Sequence, residues 1–261
     1  MKILFVGDVF GRPGRRVLLD RLPGLVRERA LDLVVVNGEN AARGAGITSK
    51  IARSLLAGGV DVITTGNHVW RQREVYDFFS TEDRMVRPAN YPAGCPGKGW
   101  TVVTAQNGES VAVINLSGAL FMDTGISPFR IVDGLVDEAR RAAETVLVDL
   151  HAEATSEKVA MGHHLDGRVT AVVGTHTHVQ TADERILPGG TAYITDVGMT
   201  GPRDSVIGVR TDVILRRFLT EMPQQFVVAD GPVRIDYVVV TTTAGGVAEG
   251  IERYEEVVDG G

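Results

Sequence analysis

Four of the six histidines in the chain follow apolar, strand-like runs, and each stands near another residue type that binds metal ions. These histidines are His68, His151, His176 and His178. Carboxylate and amide side chains occupy the same kind of position, namely Asp8, Glu39, Asn40 and Asn67. Because the parallel strands of an open α/β sheet end at one edge, side chains at their carboxyl ends converge there. The pattern therefore predicts a metal site.

The ligand types limit the choice of metal. Carboxylate, amide and imidazole groups without a thiolate suit Mn, Fe or Zn better than a soft metal or an iron–sulfur cluster. One carboxylate that can bridge, with enough further ligands for two shells, indicates two ions about 3.5–4 Å apart, as in phosphatases and nucleases. The sequence does not choose among the three metals, since availability often decides which one is bound.

Each candidate residue also has a structural interpretation when it is considered alone. Asp8 suits a helix cap at the turn that follows its strand, and Glu39 with Asn40 suits a solvated turn. His151 suits a hydrogen-bonded histidine of the core. The glycines near Asp8 fit neither the dinucleotide-binding fingerprint nor the P-loop. Only the combination of these residues favours the metal site.

Two short motifs predict the directions of their side chains. His176 and His178 are two residues apart, so in extended backbone they lie on the same face. Asn67 and His68 are adjacent and point in different directions, which predicts a metal ligand at Asn67 and a proton donor at His68. The other histidines, His163 and His164, are predicted to be surface residues of a polar loop over 162–167.

Composition excludes several classes of protein. The formal net charge of −6 disfavours a protein that binds long stretches of nucleic acid, which needs a basic surface, although a small anionic substrate remains compatible. The single Cys95 excludes an internal disulfide, and its glycine- and proline-rich surroundings predict an unreactive loop position. No signal peptide or membrane-spanning run is visible, so we expect a cytoplasmic protein.

The first two thirds of the chain alternate strand-like and helix-like segments, which is typical of a sheet covered by helices. Predicted strands are 3–6, 31–36, 61–65, 146–150 and 170–173, and predicted helices are 15–29, 49–56 and 71–79. Turn sequences predict hairpins of 101–105 with 110–116 and of 185–187 with 191–195. The last predicted strands are 226–228 and 234–242. Without a linker or repeat, we expect one domain over 1–261.

At this point the motifs resemble those of a known family. Five blocks follow the order of the motifs of the calcineurin-like metallophosphoesterases: Gly7-Asp8, Asn37-Gly38-Glu39-Asn40, Gly66-Asn67-His68, His151 and Gly174-Thr175-His176-Thr177-His178. The longer strings over 7–14, 151–158 and 195–202 are similar to the bacterial YmdB-like branch. The resemblance extends over about residues 1–208 and implies an α/β sandwich of two mixed β-sheets flanked by helices.

The resemblance also implies how the ligands are divided between two ions. Asp8, Glu39, Asn40 and His178 would hold one ion, while Glu39, Asn67, His151 and His176 would hold the other, so that Glu39 bridges. The chain departs from the common pattern twice: Phe10 stands where a histidine ligand is usual, and Glu39 replaces an aspartate. Asn40 is the candidate that fills the place left by Phe10.

The resemblance implies a metal-dependent phosphodiesterase that hydrolyses cyclic nucleotides, either 2′,3′ or 3′,5′, through a hydroxide bridging the ions, with His68 as proton donor. Arg12, Arg43 and Arg203 lie near the motifs and either contact a phosphate or remain solvated. Two alternatives stay open: a phosphomonoesterase or protein phosphatase, and a regulatory metal- and nucleotide-binding protein with slow turnover. The expected partner is a small phosphodiester, with no bulk nucleic acid and no membrane. Homo-oligomerisation is left open.

Overall fold

The computed structural model describes residues 1–123 and 125–259. Its strands are β1 (Lys2–Val6), β2 (Asp8–Val9), β3 (Leu33–Asn37), β4 (Val62–Thr64), β5 (Trp100–Thr104), β6 (Ser110–Ser117), β7 (Thr145–His151), β8 (Ala171–Thr175), β9 (Arg185–Ile186), β10 (Ala192–Ile194), β11 (Met199–Pro202), β12 (Val233–Thr242) and β13 (Ala248–Val258). The α-helices are α1 (Gly11–Arg29), α2 (Ser49–Ala57), α3 (Val75–Phe79), α4 (Val132–Ala142), α5 (Thr155–Leu165) and α6 (Thr211–Thr220), and Pro128–Arg130 form a 3-10 helix.

The strands form two mixed sheets. The first has the order β2-β11-β12-β1-β3-β4, with β13 paired to β12, and the second has the order β5-β6-β7-β8-β10-β9. β1, β3 and β4 are parallel neighbours, as are β6, β7 and β8, whereas β12 runs antiparallel to β1. This arrangement confirms the predicted sandwich.

Successive side chains of a strand point to opposite faces of the sheet, which explains why the sheets pack face to face. In β1, Ile3 and Phe5 join the core between the sheets, while Leu4 and Val6 join the core under α1 and α2. A further core under α4 and α5 covers the outer face of the second sheet. Strands that are apolar on both faces are typical of parallel sheets covered on both sides. The result is a helix–sheet–sheet–helix arrangement.

The sandwich also positions the candidate residues. Five of the candidate residues lie at or just after the carboxyl ends of strands β1, β3, β4, β7 and β8, namely Asp8, Glu39, Asn67, His151 and His176. The two sheets meet at this edge through a buried hydrogen bond, in which the Asn37 amide of β3 donates to the Asp149 carboxyl of β7 at 3.0 Å. Residues 168 positions apart in sequence, such as Asp8 and His176, are thereby brought into contact.

Several predicted elements differ in the structure. Helix α1 begins at Gly11 rather than Arg15, since Pro13 is acceptable in the first turn of a helix. Helix α3 covers only the second half of the predicted 71–79. Residues 226–228 form no strand, because only an isolated bridge joins Val228 to Val209, and the side chains of Phe226 and Val227 are exposed.

The prediction of a loop over 162–167 is also wrong for the first part of this segment. His163 and His164 belong to the last turn of α5, although they are exposed as predicted. Gly162 lies inside this helix, and the absence of a side chain lets the ring of Tyr193 pack against it, since a Cβ would lie 2.5 Å from that ring. No helix in the described part of the chain is long and apolar enough to cross a membrane.

Candidate metal centre

The structure brings all eight predicted site residues to one edge of the sandwich. Five of them, Glu39, Asn40, His68, His176 and His178, line a cavity of about 250 Å³. Their donor atoms fall into two groups. The first group contains Glu39, His151 and His176, whose ligand atoms all lie within 4.8 Å of one another. His151 Nε2 is 3.1 Å from Glu39 Oε1, 3.1 Å from Asn67 Oδ1 and 3.0 Å from His176 Nδ1.

The second group lies around His178. Its Nε2 is 3.2 Å from the amide oxygen of Asn40 and 4.0 Å from Asp8 Oδ1. The amide nitrogen of Asn40 donates to the carbonyl of Gly44 at 2.9 Å, which directs Asn40 Oδ1 toward the imidazole. Apart from Glu39, which lies in the first group, the two groups correspond to the two ligand sets that the family resemblance implies, and the bridging role of Glu39 stays a prediction. Their role as ligands stays a prediction.

Hydrogen bonds from outside the groups orient two of the imidazoles. The Nδ1 of His151 is 2.9 Å from the hydroxyl of Thr175, and that hydroxyl donates to Asp149 Oδ1 at 2.8 Å. The Nδ1 of His178 is 3.0 Å from the carbonyl oxygen of Ile207, which only accepts. Both rings therefore carry a hydrogen on Nδ1 and turn Nε2 toward the centre, as metal-binding histidines do.

Burial and the neighbouring charges shift the pKa values of the first group in opposite directions. Burial lowers the pKa of His151, but the carboxylates of Glu39, Asp8 and Asp149 outweigh this effect and raise it to about 9. Burial and the neighbouring His151 lower the pKa of His176 to about 3, so its imidazole is neutral. Burial opposes ionisation of Glu39, yet His151 and His68 hold its pKa well below the usual range.

Two further observations fit a bound cation. Asp8 Oδ1 is buried and has no hydrogen-bond partner in residues 1–123 and 125–259, although a buried polar atom normally has one. It lies 3.7 Å from His151 and 4.0 Å from His178, between the two groups. The lack of a side chain at Gly66 leaves room for two members of the first group, because a Cβ there would lie 2.2 Å from Glu39 Oε2 and 2.4 Å from His151 Nε2. The residues present therefore suit metal ions.

His68 occupies the edge of the cavity rather than its base. Its side chain is 27% exposed, its Nδ1 is 3.0 Å from Glu39 Oε1, and its backbone N–H donates to Glu39 Oε2 at 3.1 Å. The Nε2 of His68 has no hydrogen-bond partner in the described residues and remains available to a ligand. Asn67 and His68 thus point in different directions, as their adjacency predicted.

The prediction that His176 and His178 share one face of an extended segment is wrong. Both residues have positive φ, at 102° and 65°, so the chain turns sharply after β8. His176 consequently faces His151, while His178 faces Asn40, and the two imidazoles enter different groups. A positive φ is uncommon for residues with a side chain and indicates local strain at this turn.

Sequence reasoning missed the groups that hold this turn in place. Lys158 and Asp196 form a buried ion pair at 2.6 Å, and Asp196 also accepts hydrogen bonds from the backbone N–H and hydroxyl of Thr177. His176 Nε2 lies 3.1 Å from Glu153. The available signals were polar residues inside buried elements, namely Asp149 in a strand and Lys158 in a helix.

Comparison with known proteins identifies relatives over nearly the whole chain. A 2′,3′-cyclic-nucleotide 2′-phosphodiesterase of Bacillus subtilis is 51% identical over 240 residues, which are 92% of this chain and 90% of the relative. A crystal structure of a hypothetical protein from Thermus thermophilus is 46% identical, with a TM-score of 0.92 and full coverage of both chains.

A crystal structure of a novel phosphatase from Mycoplasma pneumoniae is 35% identical, has a TM-score of 0.91, and aligns with 99% of this chain and 94% of its own. These relatives confirm the resemblance that the motifs indicated and the phosphoesterase character that it implies. The family model described as YmdB-like protein matches residues 4–254, and the chain belongs to this family.

Proposed function

We propose that the protein is a metal-dependent phosphodiesterase that opens the cyclic phosphate of 2′,3′-cyclic nucleotides. The observation that carries this proposal is the convergence of Glu39, His151 and His176 within 4.8 Å, beside the second group around His178. The activity of the Bacillus subtilis relative supports the choice of a cyclic phosphodiester. A 3′,5′-cyclic nucleotide is the other substrate that the sequence left open.

The ligand sets would be those of the resemblance. Asp8, Glu39, Asn40 and His178 hold one ion, and Glu39, Asn67, His151 and His176 hold the second. Bound cations would supply charge neutralisation of the phosphoryl oxygens and a water of lowered pKa. Fe and Mn suit the mixture of oxygen and nitrogen donors, and Zn is also compatible.

His68 is the proton donor of the proposed reaction. Glu39 orients its ring through Nδ1, which leaves Nε2 to donate the proton. In the hydrolysis, the oxygen of water bonds to phosphorus, the bond from phosphorus to O2′ breaks, and O2′ receives the proton from His68. The product is a nucleoside 3′-monophosphate.

The test is hydrolysis of adenosine 2′,3′-cyclic phosphate by protein loaded with Mn or Fe, with the product isomer identified by ³¹P NMR. We expect adenosine 3′-monophosphate and faster cleavage of bis-(p-nitrophenyl) phosphate than of the monoester. Faster cleavage of the monoester would favour a phosphomonoesterase instead. Metal binding without hydrolysis of any ester would favour the regulatory alternative.

A further inference from the structure

A second cavity, of about 610 Å³, has an arginine-rich lining and is larger than the cavity of the candidate metal centre. We call it the arginine cavity, because its lining includes Arg12, Arg15, Arg16 and Arg43. Asp230 is the acidic residue of that lining. Such a concentration of positive charge contrasts with the net charge of −6 of the whole chain.

None of the four guanidinium groups of this cavity forms an ion pair with a carboxylate of the described residues. Other arginines form ion pairs, namely Arg21, Arg84, Arg168, Arg210, Arg234 and Arg253. In residues 1–123 and 125–259, Arg12, Arg16 and Arg43 have no such partner, and Arg15 donates to the carbonyl of Gly11. Burial and the adjacent Arg12 lower the pKa of Arg15, which reflects crowding of like charges.

The arginine cavity adjoins the metal centre through the backbone. The N–H of Gly11, next to Arg12, donates to the carbonyl of Asn40 at 2.9 Å, and Arg43 follows Asn40 by three residues. Three residues of extended chain span at most about 11 Å, so the Cα atom of Arg43 lies within that distance of the Cα atom of Asn40 in the second group. The arginine cavity is therefore a neighbour of the metal centre along the chain, although the linings of the two cavities share no residue.

Guanidinium groups bind phosphate through paired hydrogen bonds, which makes arginine well suited to a phosphate subsite. Long nucleic acids are disfavoured by the overall negative charge, since their binding requires neutralisation of many phosphates. A short oligonucleotide with a single additional phosphate would bind the guanidinium groups and would not require a basic surface over the whole protein.

We propose that the arginine cavity binds a substrate phosphate other than the scissile one, so that the preferred substrate is a short oligonucleotide ending in a 2′,3′-cyclic phosphate. This inference rests on the proposed phosphodiesterase function. In such an oligonucleotide, the next phosphate is attached to the 5′ oxygen of the terminal nucleoside. One nucleoside then separates the phosphate at the metal centre from the phosphate in the arginine cavity.

The experiment compares kcat/KM for adenosine 2′,3′-cyclic phosphate with kcat/KM for the dinucleotide of adenosine that ends in the same cyclic phosphate. We expect the wild-type protein to favour the dinucleotide by at least about tenfold, the worth of one charge-assisted hydrogen bond. The preference should decrease as salt is raised, because Arg12, Arg16 and Arg43 are exposed to solvent. A double variant, Arg12→Gln with Arg43→Gln, should bring the ratio close to one.

The matched control is Arg141→Gln on α4, an exposed arginine outside the cavity, which should retain the full preference. Equal rates for the two substrates in the wild-type protein overturn the inference, as does an unchanged ratio in the double variant, while the proposed function survives. If the wild-type protein hydrolyses neither substrate, the proposed function fails and this inference fails with it.

Discussion

The ring of Phe10 packs edge-on against the imidazole of His178, with centroids 5.6 Å apart and planes at 77°. Phe10 stands where the common metallophosphoesterase motif has a histidine. In this chain the position belongs to a small core with Met199, Val209 and Ile214. It therefore contributes packing against His178, while the amide oxygen of Asn40, the predicted replacement ligand, lies 3.2 Å from the same imidazole.

Replacing Phe10 by alanine should destabilise the protein by about 3–5 kcal/mol, since a buried aromatic ring leaves a cavity. The loss should also loosen His178 and reduce the metal content. The measurements are urea unfolding and elemental analysis. Phe218→Ala, on the exposed face of α6, is the control and should change stability by less than about 0.5 kcal/mol. Equal stability of the two variants would contradict the role of Phe10.

The central strands could be predicted because their apolar runs are long and buried on both faces. Each run ends in a polar residue, so the position of the site at the strand ends was also predictable. The turn at His176 and His178 was not, because its positive φ values depend on Asp196 and Lys158 from other elements. Strand β13 was missed since it carries many exposed charges and, among the described residues, pairs with β12 alone.

Glu39→Ala should remove metal from both groups, because Glu39 is the one carboxylate predicted to bridge them. The comparison is elemental analysis of the variant and the wild-type protein after identical loading with Mn. Glu138→Ala, an exposed glutamate of α4, should retain the wild-type content. Two ions per chain in the Glu39 variant would contradict the bridging role.

His68→Ala should lower kcat by about 10²–10⁴-fold, the usual worth of general acid–base catalysis. Metal content should remain unchanged, since His68 contacts Glu39 from the edge of the cavity and is not a predicted ligand. Steady-state kinetics and elemental analysis of the same preparation test both statements. A wild-type kcat would remove His68 from the mechanism, and a loss of metal would make it a ligand.

Lys158→Met should destabilise the protein by about 3–5 kcal/mol, because it leaves the buried carboxylate of Asp196 without its partner. The double variant Lys158→Met with Asp196→Asn removes both charges and should recover part of this loss. Urea unfolding of the two variants provides the comparison. If the single variant were as stable as the double variant, the ion pair would not hold the Thr177 turn.

Stability should also depend on pH through Asp236, a buried carboxyl of β12. Burial raises its pKa from 3.8 to about 7, despite the opposing effect of Arg234. Between these values the folded state keeps a proton that the unfolded state has released, so this residue makes stability fall as pH rises from about 4 to about 7.

Asp236→Asn should cancel this contribution, and the stability of the variant relative to the wild-type protein should increase over the same pH range. Urea unfolding at pH 5 and pH 8 measures the difference, and a constant difference would show that Asp236 keeps the same pKa in both states.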